Sequence, residues 1–277
     1  MQVSAPAKIN LFLRLLRRRD DGFHEIETFI SPISLADELT IERKEEGAGI
    51  DFRCDDPSIP PGADNLVVRA ATAFFETTKL KPAVTIELRK KIPHGAGLGG
   101  GSSDAASTLL ALNTLFRTNL PRAALAQLGS TIGSDIPFFI FESAAICHGR
   151  GELVTPEHLA ETFSLLLVKP DFAVATGWAY SRWSESHEIP GISYGPQDFR
   201  GHRLFNDLER PVFEKFVFLA EMKRWLLQQS EVDAALMSGS GSTMFAVLKE
   251  AHSAEQLAAR AREELDPRLW CHACVTR

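Results

Sequence analysis

The sequence predicts an α+β protein built in two parts. Three observations carry that expectation. The first third of the chain alternates apolar and polar residues as strands do. A glycine-rich run then opens directly onto a capped, amphipathic helix. After the polar stretch that begins at Thr155 and Pro156, a second series of strands and helices starts with the apolar run 165–168. The expected parts are residues 1–155 and 156–277, each in the usual size range of a domain, roughly 120 to 150 residues.

Taken in order, Ile9, Leu11 and Leu13 mark a first strand, 26–33 with Leu39 and Ile41 a second, and Ile50 with Phe52 a third. Residues 64–75 (DNLVVRAATAFF) read as a helix behind an Asp-Asn cap, and 84–88 as a strand. Leu109, Leu112 and Phe116 recur at helical spacing behind Ser102, Ser103 and Asp104, and a further helix is expected over 121–133. Residues 138–141 and 144–154 resume strand character. The second part is expected as a strand at 165–168, a helix at 176–185, a Gly/Pro-rich loop to Arg203 and a long helix over 208–229. Two strands around SGSGS, a charged helix over 252–265 and a last strand complete it.

The stretch PHGAGLGGGSSDAAS, residues 93–107, carries the first functional signal. Its glycines let the chain turn at φ > 0 and bring backbone N–H groups to a ligand with no side chain between. Amides that converge on a helix N-terminus form an anion site, most often for phosphate. A flexible linker does not fit between the strand-like VTIELRKKIP and a capped helix. Ser102 follows Gly101 with no lysine between them, which excludes a Walker A loop. Gly95, Gly97 and Gly100 satisfy G-x-G-x-x-G, but the region 117–121 lacks the acidic residue that a dinucleotide fold places about 20 positions on.

Composition narrows the partners. A net charge of −6 speaks against a nucleic-acid or anionic-membrane footprint, and the mixed run RLLRRRDD reads as a solvated turn. No apolar run reaches the ~18 residues of a membrane span and no signal-peptide core is visible, so the expected location is cytoplasmic. Of the 4 cysteines, Cys271 and Cys274 form a C-x-x-C around His272 with no second ligand pair, so no metal site is expected there.

Further motifs accompany the glycine loop: PAKIN at 6–10, DGFHEIET at 21–28, GSDIPFF at 133–139 and SGSGSTMFAV at 238–247. Together these resemble the GHMP kinase superfamily, over residues 5–247. The PAKIN and DGFHE pair is similar to the branch whose acceptor is a methylerythritol carrying cytidine diphosphate, whereas homoserine, mevalonate and galactose kinases share the glycine loop but not that pair. The resemblance implies an N-terminal domain like the second domain of ribosomal protein S5, with a left-handed β-α-β crossover that breaks the usual handedness rule. It implies a ferredoxin-like C-terminal domain, with ATP and Mg²⁺ as cosubstrate and cofactor. The implied reaction moves the γ-phosphoryl group of ATP to a tertiary hydroxyl, a step of non-mevalonate isoprenoid synthesis, in a monomer or weak homodimer.

Carried over residue by residue, the resemblance assigns Asp135 to the acceptor proton and Lys8 to charge neutralisation beside it. The ATP phosphates fall to Pro93, His94, Gly95, Ala96, Gly97, Leu98, Gly99, Gly100, Gly101, Ser102 and Ser103. Asn65 falls near the ATP base, although on its own it reads equally as a helix cap. Asn10, Phe23 and His24 match cytidine contacts, with Thr176 and Tyr180 on the other face of the base. Gly239, Ser240 and Gly241 are implied to lie over the active site and contact the diphosphate or the acceptor. Two departures stand out: Phe23 replaces a tyrosine common in the family, and Ser134 an alanine.

Overall fold

Two antiparallel strands of unusual length organise the molecule. In the computed structural model, which describes residues 1–45 and 47–277, β1 (Gln2–Arg18) pairs antiparallel with β2 (His24–Arg43). β3 (Gly49–Cys54), α1 (Leu66–Thr78) and β4 (Ala83–Arg89) form a β-α-β unit, β3 and β4 being parallel and β4 pairing with β2. Then follow α2 (Gly100–Leu115), α3 (Arg122–Ser130), α4 (Ile136–Phe141) and the hairpin β5 (Ala145–His148) and β6 (Leu153–Pro156), which lies on β2.

The second half runs β7 (Ser164–Lys169), α5 (Thr176–Arg182), β8 (Gln197–Phe199), β9 (His202–Asn206), α6 (Glu209–Lys215) and α7 (Val217–Leu227). It closes with β10 (Val232–Met237), β11 (Met244–Leu248), α8 (Ala254–Glu264) and β12 (Trp270–Val275). Its sheet has the order β10-β11-β7-β12, all antiparallel, which is the arrangement of a ferredoxin-like βαββαβ unit. β8 and β9 instead extend the first sheet beyond β1, in the order β3-β4-β2-β1-β9-β8.

Three apolar layers follow from this topology. Phe74, Leu109 and Phe138 pack the helices α1 to α4 on one face of the first sheet. Ile9, Leu11, Leu165 and Phe245 fill the space between the two sheets. Val212, Met222 and Leu257 pack the later helices on the outer face of the second. Truncating a fully buried aromatic such as Phe74 costs about 3–5 kcal/mol.

Three expectations are corrected. Residues 138–141 are helix, within α4, because IPFFIF is apolar at every position and has no period to separate a short helix from a buried strand. The Gly/Pro-rich loop before Arg203 contains the three-residue β8, and the five-residue β9 begins at its end. The helix over 208–229 is two helices, broken at Phe216, where φ −111° and ψ 69° leave the helical region.

Candidate active site

β1 supplies the first residues of the site through irregular pairing. Its register with β2 shifts between Pro6 and Lys8 and again between Asn10 and Phe12, and such bulges re-aim side chains that strict alternation would bury or expose. Lys8 and Asn10, 4% exposed each, both line a cavity of about 370 Å³. The Lys8 ammonium donates to Asn10 Oδ1 at 2.6 Å and to the carbonyl of Gly97 at 2.8 Å. Asn10 in turn donates to Thr28 Oγ1 at 2.8 Å, and Thr28 donates to the carbonyl of Phe12. Both partners of the ammonium are neutral. Burial pulls its pKa below the ordinary lysine value, against the opposing field of Asp135.

The glycine run crosses from β4 to α2 directly over Lys8. The Lys8 N–H donates to the carbonyl of Leu98 at 2.9 Å, pinning the loop to β1. Gly97 has φ 73°, and a Cβ there would stand 2.2 Å from the carbonyl oxygen of Ser238. Gly99 caps α2 with φ 71°, and a Cβ there would meet Phe139 at 2.9 Å and Lys8 Cγ at 3.0 Å. Both positions therefore exclude any side chain. The first turn of the 16-residue α2 contains no acidic residue, so its N–H groups and dipole are open to an anion. Gly100, expected to need φ > 0, does not have it; its constraint is close packing on Ile92.

Asp135 precedes α4 and is half-buried in the same cavity. Its side chain makes no capping bond, so the carboxylate is not spent on the helix. Tyr180 lies on the same side, and burial, with a smaller contribution from Asp135, holds its phenol well above the ordinary range.

At the far end of the cavity, Asn65 both lines the wall and caps α1, accepting from Val67 N–H at 2.8 Å and donating to the Pro60 carbonyl at 2.9 Å. Beside it Lys90 is bound by Asp37 and, at 2.9 Å, by Asp104. Burial alone would lower the Lys90 pKa, but Asp104 and Asp37 more than offset it and raise the pKa. Burial pushes the Asp104 carboxyl up to about 8, Lys90 opposing and Asp37 reinforcing. The sequence reading missed this cluster. Its only signal was a lysine flanking the glycine loop, and Asp37 comes from a distant strand.

The cavity thus unites Lys8, Asn10, Asn65, residues 93–102, Asp135, Thr176, Tyr180, Gly239 and Ser240. Thr176 and Ser240 share a hydroxyl hydrogen bond of 2.9 Å. Four expected residues lie off its wall. Ser103 is fully buried within α2, and Gly241 packs behind the loop against Met237 and Val174. His24 packs on Tyr180 (ring centroids 5.7 Å) and edge-on to Trp183 (6.0 Å). Phe23 is 49% exposed with the Arg150 guanidinium 4.7 Å over its ring. Burial, then Arg18, lowers the His24 pKa, which favours a neutral imidazole. Trp183 and Arg150 were not anticipated, since nothing in their local sequence marks them.

Comparisons with known proteins converge on one family. The GHMP kinases N terminal domain matches residues 65–143, and the GHMP kinases C terminal domain residues 197–266. A 4-diphosphocytidyl-2-C-methyl-D-erythritol kinase of Methylacidiphilum infernorum is 38% identical over 273 residues, covering 96% of this chain and 93% of the relative. The protein of the same name from Geobacter sulfurreducens is 38% identical over 280 residues, covering 99% and 98%. A crystal structure of 4-(cytidine 5'-diphospho)-2C-methyl-D-erythritol kinase superposes with a TM-score of 0.80 at 35% identity, covering 100% of both chains.

Proposed function

The chain belongs to the 4-diphosphocytidyl-2-C-methyl-D-erythritol kinase family of GHMP kinases, and from that membership we propose that it transfers the γ-phosphoryl group of ATP to the 2-hydroxyl of 4-diphosphocytidyl-2-C-methyl-D-erythritol. The step would serve isoprenoid precursor synthesis in the cytoplasm. The observation that carries the reading is one cavity holding the glycine loop, a buried lysine and an uncommitted carboxylate together.

Phosphoryl transfer asks a protein mainly to position two oxygens and neutralise charge. The amides of the glycine loop and the start of α2 bind the phosphates. Lys8, held by neutral partners, directs its charge to the transferring group, whose anionic charge in turn favours the protonated ammonium. Asp135 orients the acceptor hydroxyl and takes its proton. His24, Tyr180 and Trp183 form one aromatic wall for cytosine, with Phe23 backed by Arg150 as the outer platform. Gly239 and Ser240 cover the diphosphate, Ser240 through the hydroxyl it shares with Thr176.

Among the described residues no cluster of three or more His, Cys, Asp or Glu forms a metal cage. Nucleotide-bound Mg²⁺ needs no such cage, since it keeps waters and phosphate oxygens as ligands. Asp104 Oδ1, buried without a hydrogen-bond partner on the cavity wall beside the phosphate loop, is the oxygen that fits it. Bound there, the ion would neutralise phosphate charge.

We keep residues 1–155 and 156–277 as the two working domains. The end of β6 at Pro156 and the start of the second sheet at Ser164 support that division, with β8 and β9 reaching back to the first sheet. Among the described residues no helix is long and apolar enough to cross a membrane. The test is phosphorus NMR of the chain mixed with ATP, Mg²⁺ and the cytidine-linked acceptor. A new phosphomonoester at the 2-position is expected, and ADP release without it would overturn the reading.

A further inference from the structure

The loop over the acceptor side, residues 238–242, is the turn between β10 and β11, closed by Ser238 N–H on the Thr243 carbonyl and Gly241 N–H on the Ser238 carbonyl at 2.9 Å each, and all five residues are buried. Gly239 comes closest to the chemistry: a Cβ there would lie 3.1 Å from the Lys8 ammonium and 3.1 Å from the carbonyl of Gly97. Ser238 donates to that same carbonyl at 2.9 Å, so Lys8 and the loop share one acceptor on the glycine run. A residue outside the cavity also ties the loop to the first sheet. Asn206, 4% exposed at the end of β9, donates from Nδ2 to the carbonyl of Met237 and to the carbonyl of Gly239, each at 2.7 Å. Its Oδ1 accepts from Leu208 N–H at 2.9 Å.

β9 is itself locked to the strand that bears Lys8. Leu13 of β1 is in register with Asn206, and Asp207 accepts from Leu15 N–H at 2.8 Å while donating its own N–H to the Leu13 carbonyl at 2.9 Å. Glu209 adds a second tie, accepting from Met237 N–H at 2.9 Å, with Lys223 paired to its other oxygen and donating to the Ser193 carbonyl. The amide of Asn206 therefore bridges the sheet that carries Lys8 and the loop that covers it. Glu209 and Lys223 hold the base of the loop from behind.

We infer that Asn206 is a positioning residue for transfer: it sets the 238–242 loop against Lys8 and the glycine run without touching either reactant. The inference rests on the kinase reading above only for its kinetic consequence. A primary amide is the group that fits, because it presents two N–H donors and one acceptor in a plane, and all three are used. A loop misplaced by about an ångström costs up to ~10²-fold in rate, whereas the phosphate amides, fixed by Leu98 and α2, keep their place.

The test is Asn206→Leu, close in size and without donors, with Asn206→Ser as a milder variant that retains one O–H. Two readouts are taken on folded, purified protein. Amide hydrogen exchange of residues 238–243 should speed up in both variants while β7 and α2 stay protected. With the cytidine-linked acceptor, kcat should fall about tenfold to a hundredfold for Asn206→Leu and less for Asn206→Ser, with KM for ATP within about threefold. A double-mutant cycle with Ser238→Ala should be non-additive, because both act on one loop. Exchange at 238–243 unchanged from wild type, or a lowered melting temperature with kcat per folded molecule intact, would overturn the inference. Failure of wild type to use the acceptor would instead count against the proposed reaction, and the exchange experiment would still decide the role of Asn206.

Discussion

Lys8, buried, and Lys90, with its side chain 9% exposed, line one cavity, and their partners differ in kind. Lys8 donates to a side-chain amide and a carbonyl, and its pKa is lowered by burial. Lys90 sits between two carboxylates that raise its pKa in spite of burial. The Lys90 charge is thus neutralised within the protein, while the Lys8 charge is balanced only at longer range, by Asp135. A buried cation with neutral partners costs stability and is retained where a ligand supplies the missing anion. A buried cation between anions holds a fold together.

The first way to break this comparison is Asp135→Asn, which should lower turnover by about three orders of magnitude while ATP still binds, because only the acceptor hydroxyl loses its partner. Activity within a few-fold of wild type, measured by ADP release, would remove Asp135 from the chemistry. Lys8→Met should follow at about 10²–10³-fold, and the double variant should fall short of the product, since neighbouring charges act as a unit.

Gly99→Val sharpens the contrast between backbone and side-chain binding. The strained φ and the clash with Phe139 should abolish ATP binding by calorimetry in a chain that remains folded by circular dichroism. Gly97 should behave likewise, and Gly100→Val should do less, its φ being ordinary.

The Lys90 cluster predicts a pH dependence. The folded pKa of Asp104, about 8, lies above the ordinary 3.8, so between those values the native state binds more protons than the unfolded one. Stability from this group is complete below about pH 4 and lost as pH rises through about 8. Denaturant unfolding at several pH values should show the decline, and Asp104→Asn should flatten it. A slope of opposite sign would contradict the shared-lysine picture.

The smallest expected effect concerns the base. With the His24 pKa lowered, KM for the cytidine-linked acceptor should stay level as pH falls to 6.5 and rise only below it. His24→Ala should shrink the preference for cytidine over uridine, and Tyr180→Ala should weaken both nucleotides alike, by ~1–3 kcal/mol of stacking.

How much could be read in advance follows the same division. The glycine loop was legible because a site made of backbone amides demands glycines, which are adjacent in sequence. Lys8 and Asp135 were legible only through motif resemblance, since a bulged strand and a six-residue helix leave no periodic trace. The acceptor wall was only partly legible. His24, Arg150, Tyr180 and Trp183 come from segments joined only by the fold, and no spacing rule brings them together. Asn10 was read as a cytidine contact, yet its amide is engaged by Lys8 and Thr28. Asn206 ends β9, a short strand that the glycine- and proline-rich stretch leading into it does not announce.

The most direct test compares Lys8→Met with Lys90→Met for both unfolding free energy and turnover per folded molecule. Lys8→Met should hold or gain stability, because an apolar stem replaces a cation without an anionic hydrogen-bond partner, and should lose turnover by about 10²-fold or more. Lys90→Met should lose about 3–5 kcal/mol by taking the cation from the buried Asp37 and Asp104, and its turnover should fall by a smaller factor than that of Lys8→Met. Equal losses of stability in the two variants, with Lys8→Met retaining turnover within a few-fold of wild type, would contradict the account.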